Sequence, residues 1–193
     1  MKTFLLEIKT SLLLTLVFAV LLCGVYPLAV FAGAQLLFPE KANGSLVTDA
    51  TGAVRGSALL AQSFTSDKYF QPRPSAAGTG YDASSSSGTN LGPTSQKLAD
   101  AIKANVAAYR TANGLAADAA VPADAVTSSG SGLDPHISLA NAQLQIARVA
   151  RARALTLSQV QALIAAHTDA RDLGIFGEPT VNVLQLNRAL DVP

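Results

Sequence analysis

Among 193 residues there is one cysteine, Cys23, no tryptophan, and an aromatic share of only 6%. A lone cysteine excludes an intrachain disulfide and any cysteine-cluster metal site. Two histidines, His136 and His167, are too few to argue a histidine-based metal site. Charge is equally scarce: Asp, Glu, Lys and Arg make up 14% of the chain, against about 25% in an ordinary soluble domain. The deficit is concentrated, because Thr10 through Pro39 carries no charged side chain. Beyond it, residues 40–193 hold equal numbers of basic and acidic side chains. A neutral domain without tryptophan is poorly suited to nucleic acid, whose phosphates demand a basic face.

What the chain does have is a long apolar run near its start. Ser11–Ala32 reads SLLLTLVFAVLLCGVYPLAVFA, and as a helix it reaches roughly 33 Å, enough for a hydrocarbon core of about 30 Å. Three readings fit. A cleaved signal peptide is suggested by Ala32-Gly33-Ala34, but the run exceeds the 7–15 residues of a signal core. A lipoprotein signal ending at Cys23 meets a bulky Leu22 and an apolar run that continues. A permanent single-span anchor over residues 12–32 is favoured, with Pro27 tolerated inside the bilayer. Lys2 and Lys9 on its N-terminal side place residues 1–11 in the cytoplasm by the positive-inside rule. Residues 33–44 then connect to an extracytoplasmic domain over 45–193.

Short β-compatible pieces surround Val47 and Val54, punctuated by Gly44, Gly52 and Gly56. Residues 71–95, QPRPSAAGTGYDASSSSGTNLGPTS, are Gly-, Pro- and Ser-rich and carry only Arg73 and Asp82 as charges. Such a segment is either a flexible linker or an ordered loop folded over the domain or a partner. Three helices follow. The first is capped by Thr94, carries Leu98, Ile102, Val106 and Tyr109, and ends before Gly114. A second is capped by Ser138 and runs to about Arg153, with Arg148, Arg151 and Arg153 read as favourable charges at its C-terminal dipole or as a surface for an acidic partner. The third opens on a Thr156/Gln159 capping box, with His167 on its apolar face. The tail fits either a strand near Val181–Leu184 or a short helix. The expected fold class is α+β, a single membrane helix followed by a small, largely helical mixed domain.

Chemistry is harder to find. Gly78-Thr79-Gly80-Tyr81-Asp82-Ala83 has the letters of a dinucleotide fingerprint but lacks the strand before it and the helix after it. Ser131, Asp134 and His136 supply the residue types of a hydrolase triad, yet within six positions they cannot easily converge as nucleophile, orienter and base. Asp134-Pro135 shaping the turn before a helix is the structural alternative. The residues alone describe an anchored, Ala-rich mixed domain with no convincing active site.

Three blocks carry a resemblance: RPSAAGTGYDASSSSGTNLGPTS (73–95), VPADAVTSSGSGLDPHISLANAQLQIARVARAR (121–153) and GIFGEPTVNVLQLNRALD (174–191). In sequence, order and spacing they resemble the C subunit of the bacterial high-affinity potassium-transporting Kdp ATPase. The resemblance implies a non-catalytic accessory subunit of a multi-subunit pump in the inner membrane. Its partners would be a P-type ATPase subunit, a channel-like potassium-binding subunit and a small single-helix subunit. It also implies a catalytic-chaperone role that raises the ATPase subunit's affinity for ATP, with no covalently bound cofactor. A nucleotide-related stretch is implied at Ser129, Gly130, Ser131 and Gly132, with Gln145 downstream. Partner contacts are expected at Arg73, Tyr81, Asp82, Asn90, Asp134 and His136. A membrane-anchored extracytoplasmic hydrolase and an independent binding module are the alternatives from other classes.

Overall fold

A computed structural model describes residues 2–191. Met1, in the expected cytoplasmic N-terminus, and Val192 and Pro193, in the expected extracytoplasmic domain, lie outside the described residues. The chain divides between Leu46 and Val47 into two compact units.

The first unit is one long helical rod. Helix α1 (Lys2–Val20) passes through a wider π-turn (Leu21–Val25) into α2 (Tyr26–Leu37), followed by a short α3 (Pro39–Ala42). The widening has a local cause. Pro27 has no N–H and its ring crowds the carbonyl four residues back, and a π-turn just before it relieves that crowding. The Tyr26 N–H accordingly donates to the Leu21 carbonyl, five residues back. Thr3–Leu37 is long and apolar enough to cross a membrane, with mean hydropathy 2.5 over its best window and none of that window buried by the chain itself. A helix apolar on every side, uncovered by its own protein, calls for apolar surroundings.

The second unit is α+β. A two-stranded sheet of β1 (Leu46–Thr48) and β2 (Val54–Ser57) comes first. Helix α4 (Gln96–Asn113) follows, then a 3-10 turn (Ala123–Ala125), β3 (His136–Ser138), α5 (Leu139–Arg153), α6 (Leu157–Ala166), β4 (Thr168–Asp169), β5 (Thr180–Asn182) and α7 (Val183–Asp191). Strand β5 is central in an antiparallel sheet, pairing Ile137 with Val181 on one side and Thr168 with Val181 on the other. Ile137 and Val181 join Phe70, Ala142, Val149, Val160, Ile164, Val183, Leu186 and Leu190 in the core.

Several sequence expectations are met and several are corrected. Ser138 caps α5 by accepting the Asn141 N–H, and Thr156/Gln159 form the complete capping box of α6. The cap of α4 is Ser95, one residue past Thr94, because its side chain is the one that accepts the Leu98 N–H. The tail is both a strand and a helix: Thr180–Asn182 pairs in the sheet and Val183 onward coils. Arg148 is buried rather than a solvated charge at the helix end.

The segment 62–75 has no helix or strand, yet Phe70 is fully buried. Side chains provide its hydrogen bonds. The Asn187 amide accepts the Phe70 N–H (2.7 Å) and donates to the Phe70 carbonyl (2.9 Å). Gln145 does the same for Gln71, at 2.7 and 3.1 Å. Each amide thus offers the backbone the paired donor and acceptor that a neighbouring strand would offer. The Arg148 guanidinium donates to the Asp67 and Tyr69 carbonyls, to Asn113 Oδ1 and to Gln145 Oε1. Arg153 donates to the Lys68 and Leu190 carbonyls, pairs with Asp191 and lies 4.8 Å over the Tyr69 ring.

Removing one clamp orphans a buried N–H and a buried carbonyl, each costing about 1–3 kcal/mol. Asn187→Ala is therefore expected to lower unfolding stability by about 2–4 kcal/mol, measured by urea denaturation of the full chain in detergent. A loss below about 0.5 kcal/mol, the size of an ordinary surface substitution, would refute the clamp.

Candidate functional site

Beyond the clamps, residues 71–95 lie against the turn at 128–136. Arg73 starts the contact, its guanidinium reaching Asp134 at 2.9 Å and the Ser128 carbonyl at 3.5 Å. Ser75 Oγ donates to the Gly132 carbonyl (2.6 Å) and accepts the Tyr81 N–H (2.8 Å). The Tyr81 hydroxyl donates back to the Arg73 carbonyl (2.8 Å), closing a compact loop; burial raises its pKa. Farther on, Ser86 Oγ and the Ser87 N–H both donate to the Ser131 carbonyl.

Close backbone approach explains the glycine at 132. A Cβ there would lie 2.6 Å from both the Ala77 nitrogen and the Ser87 oxygen, and its φ of +68° is in the left-handed region. The 129–132 stretch is thus the surface on which the long loop is seated. Ser131 Oγ accepts the Leu133 N–H at 3.1 Å, and Ser129 Oγ lies 3.4 Å from it. Gln145 is one of the clamps: both its amide atoms are hydrogen-bonded, to Gln71, Arg148 and Asn141, and it has no exposed surface. A nucleotide would have to break the clamp to reach it, whereas Gly130 and Ser131 are exposed and a Cβ at Gly130 would meet nothing within 4 Å. The Gly78–Ala83 stretch likewise lies among turns, with neither strand nor helix beside it.

Asp134 organises the other end. Burial works to raise its carboxyl pKa, but hydrogen bonds from the His136 ring and backbone, together with Arg73, outweigh it and lower the value to about 2. His136 Nδ1 lies 3.6 Å from Asp134 and Nε2 lies 3.8 Å from Asp169. Among the described residues no hydrogen bond joins Ser131 to His136, so the residue types of a triad do not meet as one. Asp82 turns inward on its own loop, accepting from the Ser84 N–H and hydroxyl, which lower its pKa. Asn90 is exposed, with a left-handed φ of 52°. The arrangement brings Arg73, Tyr81, Asp134 and His136 into one part-buried cluster and leaves Asp82 and Asn90 outside it.

Sequence reasoning passed over the polar groups behind this cluster. Asp124 accepts from the Ser138 N–H and hydroxyl and from Asn141, while the Tyr109 hydroxyl donates to Asn141 Oδ1. Burial, then the Asp124 charge, raises the Tyr109 pKa. The available signal was spacing: Asn141, Gln145 and Arg148 recur at i, i+4 and i+7, one face of a helix.

A family model described as K+-transporting ATPase, c chain, matches residues 8–192. A protein of Mycobacterium bovis (strain BCG / Pasteur 1173P2) named potassium-transporting ATPase KdpC subunit is 56% identical over 185 residues, 96% of this chain and 97% of its own. Proteins of the same name are 58% identical over 172 residues in Rhodospirillum rubrum (89% of this chain, 88% of that one). In Koribacter versatilis the figure is 52% over 183 residues (94% and 92%).

The lowered Asp134 pKa carries a sign. A carboxylate whose folded pKa lies below its ordinary value contributes stability above that value and loses it as pH falls through the folded one. The stability advantage of the native chain over Asp134→Asn should therefore be full above about pH 4 and be lost as pH falls through about 2. Thermal denaturation of both chains across that range measures it. An advantage independent of pH would show that Asp134 is not held as a carboxylate.

Proposed function

The chain belongs to the KdpC family of potassium-transporting ATPase subunits, and from that premise we propose that it acts without chemistry of its own, supporting assembly of the pump and ATP binding by the ATPase subunit. The observation that carries the reading is the family match over residues 8–192. It includes most of the apolar rod and the whole clamped domain, so anchor and domain are retained as one unit of sequence. The partners are the ATPase subunit, a channel-like potassium-binding subunit and a small single-helix subunit. ATP is bound by the ATPase subunit, and the effect of this chain on it passes through the complex. Such coupling requires only that the chain bind two pump states with different affinity. The close packing at Gly132 and the occupied amide of Gln145 support an indirect route.

The chain is proposed to span the inner membrane once, with the N-terminus in the cytoplasm and the second unit outside. Lys2 and Lys9 ahead of the apolar run support this orientation. Ser66 and Ser158 are exposed, so cysteines placed there should react with a membrane-impermeant thiol reagent in intact spheroplasts. Labelling only after lysis would reverse the orientation. Coupling is tested on the transporter purified with and without this chain. Without it, the KM for ATP should rise several-fold and potassium-stimulated hydrolysis should fall. An unchanged KM in a complex lacking only this chain would overturn the role.

A further inference from the structure

Between β4 and β5 the chain makes a narrow hairpin, Arg171–Glu178, that projects apolar side chains into solvent. Leu173 is 88% exposed, Ile175 73% and Phe176 64%. These are three large apolar groups within four positions, on a domain whose other apolar groups largely build a core. The hairpin is a built structure. Asp172 and Phe176 exchange both backbone hydrogen bonds at 2.9 Å, and the Gly174 and Ile175 N–H groups donate to the Arg171 and Asp172 carbonyls. Arg171 and Glu178 close its neck as an ion pair at 2.5 Å.

The backbone holds this shape against a cost. Leu173 adopts φ 52°, beside Gly174 and Gly177 at 76°, and a left-handed residue with a Cβ is disfavoured by about 1–2 kcal/mol. The left-handed residue closes the turn, as Ser45, Tyr81, Asn90 and Ala154 take the same conformation elsewhere, and the turn so closed holds leucine, isoleucine and phenylalanine in water. Contiguous exposed apolar groups point to an interface.

Charge selects the occupant. Residues 169–178 hold three carboxylates, Asp169, Asp172 and Glu178, against one guanidinium, Arg171. A membrane-surface loop would instead place lysine, arginine or tryptophan around its apolar tip, and acidic groups are repelled by anionic headgroups. A second copy would set like charges against each other. We propose that the Leu173–Phe176 tip inserts into an apolar recess with a basic rim on another subunit of the same pump. The inference rests on the subunit reading above and adds the surface that docks.

The test replaces Phe176 with a photo-reactive phenylalanine analogue in the full chain, expressed with the whole transporter. Irradiation should join this chain to another pump subunit. Ile175→Asp combined with Phe176→Asp should lower co-purification of those subunits at least tenfold, with the thermal transition of the full-length chain in detergent unchanged. An adduct with lipid alone, an adduct with a second copy, or no adduct would each overturn the proposal. Should the aspartate variant shift the thermal transition, the photo-adduct decides, because it keeps an aromatic ring at the position. If the native chain co-purifies yet gives no adduct, the hairpin proposal fails and the subunit reading stands. If the native chain does not co-purify, both fall.

Discussion

A piece of chain with no helix or strand of its own is buried in this domain, with no strand beside it to satisfy its backbone. Residues 67–71 must bury Phe70, and burying the phenylalanine means burying its backbone polar groups as well. Such groups are costly unless hydrogen-bonded. Asn187 on α7 and Gln145 on α5 satisfy Phe70 and Gln71, and Arg148 and Arg153 collect the carbonyls just before them. Helices distant in sequence are thus fastened to one another through a segment that has no secondary structure of its own. Arg148 shows how demanding the arrangement is. A guanidinium loses much of its hydration on burial, and burial does lower its pKa here. It is held by four hydrogen bonds to neutral acceptors, the Asp67 charge adding only longer-range support.

The loop that follows inherits its position from these clamps. Once Gln71 is fixed, Arg73 is two residues away and meets Asp134, and Ser75 two residues later meets Gly132. A loop of 25 residues, 71–95, would lose a large conformational entropy if ordered by weak surface contacts alone. Here ordering starts from a buried anchor and is reinforced by local bonds, Tyr81 to the Arg73 carbonyl and Asp82 to Ser84. The part-buried Arg73–Asp134 pair is consequently more a register pin than a main source of stability.

What was legible in the sequence follows from length scale. Helices α4, α5 and α6 repeat their apolar positions over several turns and carry caps, so periodicity and capping chemistry identify them. The strands of the second sheet span two or three residues, too short for alternation to show. His136–Ser138 reads as a helix approach, and only its pairing with Thr180–Asn182 makes it a strand. Polar residues on helices were the larger loss. Nothing in the residue types of Asn187, Gln145 and Arg148 signals burial, and only tertiary contact with residues 67–71 shows it. The Ser/Gly turn was visible as a motif, but its purpose lay in the Ala77 and Ser87 backbone it meets.

That difference bears on how a subunit of this kind can influence ATP use. A chain that contacted nucleotide would need open donors converging on a phosphate, as glycine-rich loops and helix N-termini provide. In this domain Gln145 is saturated and Gly132 is closed over by neighbouring backbone, while Gly130 and Ser131 are exposed. An influence exerted through assembly needs the opposite qualities: a stiff body and a projecting contact. Stiffness comes from the clamps, because a domain whose central segment is hydrogen-bonded to two helices cannot yield locally without orphaning buried groups. The contact proposed is the hairpin at Leu173–Phe176, whose exposed side chains project from that body. A rigid arm transmits a difference between two pump states as a difference in binding free energy, whereas a soft one would absorb it.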